Sequence, residues 1–307
     1  MRHIAGLALR DSRFWPPNSD TRHDVLLAYP PQSPIGLFDS GVGGLTVLRE
    51  LRAELPAENF HYVGDTARVP WGSKGAATVQ RYSVEIARHL EQQGCKAIVI
   101  ACHTASTYAM QAVRAAVTVP VFDVVGPVSR TIANDVSITR VGVLGTRGTV
   151  RSAAYAQTLS AMRPSLRVSQ QACPLFVPLA EEGWLTGDVP ERVVRHYLGP
   201  LFAEEVPDTL LLGCTHYPIL SDVIARVARS LTTNLVNIVH TGPSTACALR
   251  EALANSNKLG HTEGIGDVLF EVTDDPDRFC ELGSTFLGEP IAQATLLPLQ
   301  QIATPLT

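Results

Sequence analysis

Two stretches of the chain share one pattern, in which an apolar run ends in a small residue followed by a cysteine. The first is Lys96–Ser106, KAIVIACHTAS, and the second is Thr209–Pro218, TLLLGCTHYP. Each apolar run is typical of a strand buried on both faces, and the apolar periodicity after it is typical of a helix. The pattern therefore predicts an α/β fold in which Cys102 and Cys214 each occupy a turn from a strand into a helix.

This position favours a chemical role for both cysteines. The carboxyl ends of parallel strands bind ligands in open α/β sheets, and the helix that follows supplies unpaired backbone N–H groups. A thiol placed there is expected to have a lowered pKa, which favours the reactive thiolate. The alternative is that both are small buried hydrophobic residues, as most free cysteines are. Matched settings, with His103 and His216 close in sequence, favour the chemical interpretation.

The composition argues against several classes of function. The 307 residues include 25 Lys and Arg against 29 Asp and Glu, a formal net charge of -4, so nucleic acid is not an expected partner. Six cysteines without a CxxC pair indicate neither a disulfide framework nor a zinc-ribbon site, and they favour a reducing, cytoplasmic setting. Apolar runs fall short of the roughly 20 residues that span a bilayer, so no membrane association is expected.

The chain is long enough for about two domains. A strand followed by a glycine-containing turn occurs at Ile35–Gly44 and again at Val141–Thr149, and the cysteine turn recurs at a similar offset. These repeats predict two halves of similar architecture, each contributing one thiol. Residues 1–33 are rich in Arg, Asp and Pro and lack steady periodicity, so we expect a loose N-terminal extension.

Two loops and one acidic pair complete the set of candidate features. The turn Asp39–Gly44, DSGVGG, can bring its backbone and Ser40 close to an anion, although a simple tight turn is the alternative. The polar loop Gly64–Lys74, GDTARVPWGSK, is expected to form a wall of the binding site. Glu181 and Glu182 follow an apolar run, and sequence alone predicts that such glutamates are solvated.

Two thiols flanking one small molecule suit the removal of a proton from a carbon next to a carboxylate. The reaction needs a strong base and donors that stabilise the enolate-like carboxylate. Bases on opposite faces permit inversion, because one removes the proton and the other returns a different one. An unperturbed cysteine pKa near 8.5 allows one thiolate and one thiol at the start. Candidate groups for moving protons at the sulfurs are Asp39, Asp65, Glu181 and His216.

Five ordered motifs resemble those of the glutamate racemases of the aspartate/glutamate racemase superfamily. They are FDSGVGGLTVL from Phe38, YVGDTARVPWGSK from Tyr62, ACHTAS from Ala101, ACPLFVPLAEEG from Ala172 and LLGCTHYP from Leu211. The resemblance spans about residues 35–287. It implies two pseudosymmetric α/β domains with mainly parallel sheets and an active site in the cleft between them. The domains expected are residues 34–126 plus 239–300, and residues 127–238.

The resemblance also implies a reaction and a set of functional residues. It implies cofactor-independent interconversion of L- and D-glutamate, supplying D-glutamate for peptidoglycan, by a homodimer that needs no metal. The implied acid/base thiols are Cys102 and Cys214, with Asp39 and His216 assisting them and Glu181 supporting His216. The predicted substrate-binding set comprises Asp39, Ser40, Pro70, Trp71, Gly72, Cys102, His103, Thr104, Thr146, Cys214, Thr215 and His216.

Three positions depart from the family pattern. His103 replaces an Asn that contacts substrate, and His is larger and titrates near neutrality. Trp71 replaces a Tyr, exchanging a phenol for an indole that donates but cannot accept. Asp123 stands where Gly is common. We expect Asp123 to pair with His103, so that these changes compensate.

Other functions stay open at this point. The pocket could serve a racemase or isomerase of another acidic amino acid or small dicarboxylate such as aspartate, or a related decarboxylase. It could also belong to a weakly active or non-catalytic protein that binds an acidic ligand. A zinc site from Cys102, His103, Cys214 and His216 has suitable ligand types without the usual CxxC spacing. The presence of both thiols and their acid partners favours racemisation.

Overall fold

The computed structural model describes residues 29–260 and 264–303, so most of the predicted N-terminal extension lies outside it. The described residues form two sheets in which every strand pair is parallel, with helices packed on their faces. This α/β architecture confirms the predicted fold class.

The first sheet has the strand order β10-β9-β2-β1-β3-β4. Its strands are β1 (Ile35–Asp39), β2 (Phe60–Gly64), β3 (Ala97–Ile100), β4 (Val121–Asp123), β9 (Val268–Val272) and β10 (Thr295–Leu296). The last two come from the C-terminal part of the chain, which returns to pair with β2. The resemblance implied this completion of the first unit.

The second sheet has the strand order β6-β5-β7-β8. Its strands are β5 (Arg140–Gly145), β6 (Arg167–Ala172), β7 (Thr209–Gly213) and β8 (Asn237–Val239). The order β2-β1-β3-β4 of the first sheet is the same arrangement, so the repeat seen in sequence corresponds to two copies of one topology. The domain boundaries stay a prediction.

Helices connect the strands and cover both sheets. They are α1 (Leu45–Glu54), α2 (Ala76–Gln92), α3 (His103–Ala116), α4 (Gly126–Asn134), α5 (Arg147–Ser152), α6 (Ala154–Met162), α7 (Phe176–Glu181), α8 (Asp188–Glu204), α9 (Ser221–Leu231), α10 (Gly242–Asn255), α11 (Pro276–Leu287) and α12 (Leu299–Ile302). Short 3-10 turns lie at Thr66–Arg68, Trp71–Ser73 and Tyr217–Leu220. Among the residues described, no helix combines the length and apolarity needed to cross a membrane.

The apolar runs become the buried centre of each sheet. Strands β1, β2, β3 and β7 are buried along their whole length, as continuous apolar runs predict for parallel strands covered on both faces. The centre of each sheet places its carboxyl-end turns side by side, because Phe38 pairs with Ile100 and Gly145 pairs with Gly213. Each cysteine turn therefore emerges beside the Ser/Thr and glycine turn of its own sheet.

Candidate active site

The turns at the strand ends of one sheet contact those of the other. Thr104, two residues after Cys102, places its Oγ1 3.1 Å from Oγ1 of Thr146 in the second sheet's turn. Thr215, next to Cys214, donates to Oδ1 of Asp39 at 3.4 Å. The contacts are reciprocal, since each cysteine turn meets the glycine-containing turn of the opposite half. The structure thus brings both predicted thiol turns to one cleft.

Gly43 sets how closely the two halves approach. A Cβ atom at this position would lie 2.3 Å from Thr215 Oγ1 and 2.4 Å from His216 Nδ1, closer than packed atoms come. Thr46 reinforces the junction, because its hydroxyl donates to the carbonyl oxygen of Thr215 at 2.9 Å. Gly43 therefore makes room for the opposite half of the molecule. The sequence had predicted that the glycines of this turn let a ligand come close to the backbone.

Cys102 lies at the start of α3 and is buried, with its Sγ 3.7 Å from Ser40 Oγ. Burial raises the pKa of Cys102 to about 12, and the neighbouring carboxylate of Asp39 adds to this. Hydrogen bonds from the backbone N–H of Ala105 and with the hydroxyl of Ser40 lower the pKa of Cys102, but by less than burial and Asp39 raise it. The expectation that the helix start lowers this pKa is wrong, because burial outweighs the helix N–H groups. Cys102 therefore carries its proton near neutral pH.

Cys214 has a different neighbour, the imidazole of His216. Its Sγ lies 4.0 Å from His216 Nδ1, and Nε2 of the same ring lies 3.0 Å from Glu181 Oε1. Burial alone would lower the pKa of His216, but Cys214, Glu181 and Asp39 outweigh burial and raise it to about 10. His216 is therefore an imidazolium near neutral pH. The expectation from sequence alone that Glu181 is simply solvated is wrong, since it pairs with this buried ring.

Asp39 lies between the two thiol environments. Its side chain is fully buried, and Oδ2 accepts from the backbone N–H of Gly41 at 3.0 Å. Burial raises the pKa of Asp39, while His216 and the N–H groups of the turn lower it. Because its charge influences both Cys102 and His216, Asp39 couples the two sides of the cleft electrostatically.

Known proteins share this sequence pattern and fold. The sequence pattern of the Asp/Glu/Hydantoin racemase family matches residues 36–246. The chain belongs to this family. The predicted enzyme class, an isomerase of the amino-acid racemase type, is confirmed at this level.

Individual relatives agree over nearly the whole chain. The glutamate racemase of Geobacter metallireducens is 43% identical over 270 residues, which cover 88% of this chain and 98% of that protein. A crystal structure of glutamate racemase from Francisella tularensis in complex with D-glutamate has a TM-score of 0.81 at 35% identity, covering 88% of this chain and 98% of that one. The Thermus thermophilus glutamate racemase structure in complex with beta-chloro-D-alanine has a TM-score of 0.77 at 42% identity, covering 89% and 99%.

Polar contacts of Asp65 hold the loop Gly64–Lys74 against the first sheet. Asp65 accepts from Arg68 Nε, at 2.7 Å for the closer oxygen, from Trp71 Nε1 at 3.1 Å and from Thr273 Oγ1 at 2.9 Å. The Trp71 ring is buried, and its indole N–H is directed at Asp65. These contacts favour a positioning role for Asp65 and Trp71 over a part in proton transfer or substrate contact.

The same loop carries Pro70 and Gly72 to the second half. A Cβ on Gly72 would lie 3.0 Å from the Cβ of Thr146, and a Cβ on Gly148 would lie 3.0 Å from the carbonyl oxygen of Gly72. Gly72 thus abuts the start of α5 at the edge of the cleft. Predicted contacts of Pro70 and Gly72 with substrate stay predictions, since no ligand contact tests them.

His103 is buried and does not bond to its expected partner, Asp123. Its Nε2 lies 3.3 Å from Thr241 Oγ1, and Nδ1 has no hydrogen-bond partner among the residues described. The predicted pair with Asp123 is wrong, because Oδ1 of Asp123 accepts from the N–H groups of Val125 and Gly126 at 2.6 and 2.7 Å. Asp123 bonds to the free N–H groups at the start of α4, close to it in the chain, and not to the more distant His103. Burial lowers the pKa of His103 to about 3, so its ring is neutral.

A cavity of about 280 Å³ adjoins the cleft, although its lining includes neither cysteine. It is bounded by the turn at Gly41, by Glu181 and by Arg278 near the start of α11. Sequence analysis missed Arg278 and Thr241, since neither lies in a motif with a recognisable spacing. Both thiols are only 5% exposed, so the cleft leaves little of either cysteine open to solvent.

Proposed function

We propose that this protein interconverts L- and D-glutamate without a cofactor, by proton transfer between the α carbon and two thiols. The observation that carries the proposal is the pairing of two buried thiols in one cleft with two separate proton partners. Cys102 lies beside Asp39 and Ser40, whereas Cys214 lies beside His216 and Glu181. Relatives at about 40% identity that are named glutamate racemase support the choice of substrate.

The unlike surroundings of the thiols suit opposite roles within one turnover. Cys102, whose pKa is raised to about 12, is the thiol that starts with a proton to donate. A charged sulfur at Cys214 would be stabilised by the imidazolium of His216, which makes Cys214 the first base. In one direction Cys214 removes the α proton, and Cys102 donates a proton to the opposite face. In the reverse direction the two sulfurs exchange roles.

The polar turns around the sulfurs would stabilise the reaction intermediate. Loss of the α proton places negative charge on the substrate carboxylate, and prearranged donors lower the energy of that state. Ser40 lies 3.7 Å from the sulfur of Cys102, and Thr104 and Thr215 lie in the two cysteine turns, so their hydroxyl groups can act as these donors. Thr146, whose hydroxyl lies 3.1 Å from that of Thr104, can add a further donor from the second half.

The wider role follows from the product. On this proposal D-glutamate is supplied in the cytoplasm for peptidoglycan synthesis, and the enzyme acts as a homodimer. Exposed apolar side chains of the second half, Leu175, Trp184 and Val189, are available for contact between copies. Sedimentation of the purified full chain at several concentrations tests the dimer.

The decisive test is isotope exchange. Purified protein is incubated with L-glutamate in D2O, without pyridoxal phosphate, and we expect deuterium at the α carbon together with loss of optical rotation. Cys102→Ala and Cys214→Ala should each abolish racemisation, whereas Cys247→Ala, at an exposed position, should leave it unchanged. Absence of both exchange and racemisation at high enzyme concentration would refute the proposal.

A second candidate function is racemisation of another acidic substrate such as aspartate. It is favoured by the departures at Trp71 and His103, which stand where the family carries Tyr and Asn. Against this candidate, both side chains are buried and hydrogen-bonded, Trp71 to Asp65 and His103 to Thr241. These contacts argue that the two departures leave the shape of the pocket unchanged. Parallel assays with aspartate decide between the candidates, because the preferred substrate has the higher kcat/KM.

A further inference from the structure

Three side chains outside the cleft converge on one point of the first sheet. They are His61 on β2, His89 on α2 and Glu271 on β9. Nε2 of His61 and Nε2 of His89 each lie 2.7 Å from the same carboxylate oxygen, Oε2 of Glu271. One potential ligand atom from each residue falls within 4.8 Å of the other two.

The cluster is largely buried, with exposed fractions of 3% for His61, 8% for His89 and 16% for Glu271. A buried negative charge that faces two imidazole nitrogens is a favourable surrounding for a cation.

The convergence of both rings on a single oxygen is the informative detail. Two imidazole nitrogens and one carboxylate oxygen form a ligand set used by divalent transition metals, zinc among them. With bonds of about 2.0–2.2 Å, ligand atoms around a tetrahedral ion lie about 3.4 Å apart. Each imidazole nitrogen now lies 2.7 Å from Oε2 of Glu271, so each of these two distances would have to lengthen by about 0.7 Å to admit such an ion.

We propose that His61, His89 and Glu271 bind a divalent transition-metal ion, best matched by zinc, which fastens β9 to the rest of the first sheet. Glu271 lies 210 residues from His61 and 182 residues from His89 along the chain, so the ion joins the returning C-terminal strand to two earlier elements. Fixing such distant segments in the native state stabilises the fold. Because Glu271 retains some exposure, a water molecule can complete the coordination.

This site is independent of the proposed function. His61 is the second residue of β2, toward the amino end of the strand, whereas the cleft lies at the carboxyl ends. The sequence predicted no metal site, because these three residues are far apart and show no ligand spacing. Cys95 is a buried neighbour of Glu271, but its sulfur is not among the ligand atoms that lie within 4.8 Å of one another. We therefore do not count this thiol as a ligand.

Metal titration tests the proposal on the full chain. A Cys102→Ser, Cys214→Ser background removes the cleft thiols as rival ligands, and a chelator strips the protein before zinc is added against a chromophoric competitor. We expect one equivalent of zinc to bind. His61→Gln, His89→Gln and Glu271→Gln should each weaken binding by more than about 100-fold, beyond the effect of losing an outer contact. His196→Gln, at an exposed position, is the matched control and should bind as the background does.

Two further measurements do not require the His61, His89 and Glu271 variants to fold. X-ray absorption of the zinc-loaded background should show nitrogen and oxygen ligands at about 2.0–2.2 Å, without sulfur at about 2.3 Å. A zinc-soaked crystal should give anomalous density within bonding distance of all three residues. The proposal is overturned if the background binds no zinc, if zinc shows sulfur ligation, or if the anomalous density lies elsewhere.

Discussion

Cys102 and Cys214 show how one residue type acquires two characters from its neighbours. A carboxylate and burial keep the proton on Cys102, with a pKa of about 12, while Cys214 faces an imidazolium. The proposed two-base mechanism uses this difference in surroundings, because it assigns the first proton donor to one thiol and the first base to the other. The residues next to each thiol therefore determine its role in the proposed reaction as much as the sulfur does.

Glu181 is the residue whose loss should move the pH dependence without removing a sulfur. Glu181 helps to raise the pKa of His216 to about 10, so the imidazolium persists until the pH rises through that value. In Glu181→Gln the pKa of His216 should fall, and the alkaline limb of the kcat/KM profile should move to lower pH. Both directions of the reaction should shift alike, since the equilibrium constant is unchanged.

Racemisation measured from about pH 6 to pH 10.5 tests this expectation, over the range in which His216 changes charge. Glu182→Gln is the matched control, because Glu182 is the neighbouring glutamate and is exposed. An alkaline limb that stays in place in Glu181→Gln, or moves equally in Glu182→Gln, would contradict the assigned role.

At the scale of elements, the turn from β1 into α1 decides the geometry of the cleft. Gly43 leaves no room for a side chain, since a Cβ would overlap Thr215 and His216 of the opposite half. Gly43→Ala should push the halves apart and displace His216 from Cys214. Misplacement of a catalytic group by about 1 Å can lower the rate by about 100-fold, so we expect kcat/KM to fall by about that factor.

Gly75→Ala is the control for this change, because a Cβ at Gly75 meets open space. Urea unfolding of both variants separates misplacement from loss of fold. The expectation fails if Gly43→Ala keeps full activity, or if its activity falls only in proportion to the unfolded fraction.

For the whole molecule, we expect the two halves to open and close, because both cleft thiols are buried. Cys102 and Cys214 are 5% exposed, whereas Cys247 is exposed. Iodoacetamide should therefore modify Cys247 at least about 10-fold faster, because the cleft thiols react only in an opened state. Cys95 and Cys173 are fully buried and should stay unmodified unless the protein unfolds.

Mass spectrometry of peptides over a time course gives the rate at each cysteine. Modification of Cys102 and Cys214 while Cys95 and Cys173 stay intact would indicate opening of the cleft. Equal rates at Cys102, Cys214 and Cys247 would contradict the closed arrangement. Equal rates at Cys95 and Cys102 would instead mean that opening is global unfolding.

Local sequence patterns predicted the strands that lead into the thiol turns, the turns themselves and the repeat, but not strands β6 and β10. The successful predictions rest on local features, because continuous apolar runs are typical of buried strands and Cys102 and Cys214 follow such runs directly. The matched topology of the two sheets follows from the same pattern used twice.

Packing between distant parts of the chain fixed the bond partners of His103 and Asp123 and the convergence of His61, His89 and Glu271. Residue patterns alone also missed the bond of Glu181 to His216, which only the family resemblance implied. Packing also reversed the expected direction of the Cys102 pKa. The physical reason is that burial and charge at a point depend on every element packed around it. Those elements come from distant parts of the chain, so no local pattern of residues records their distance.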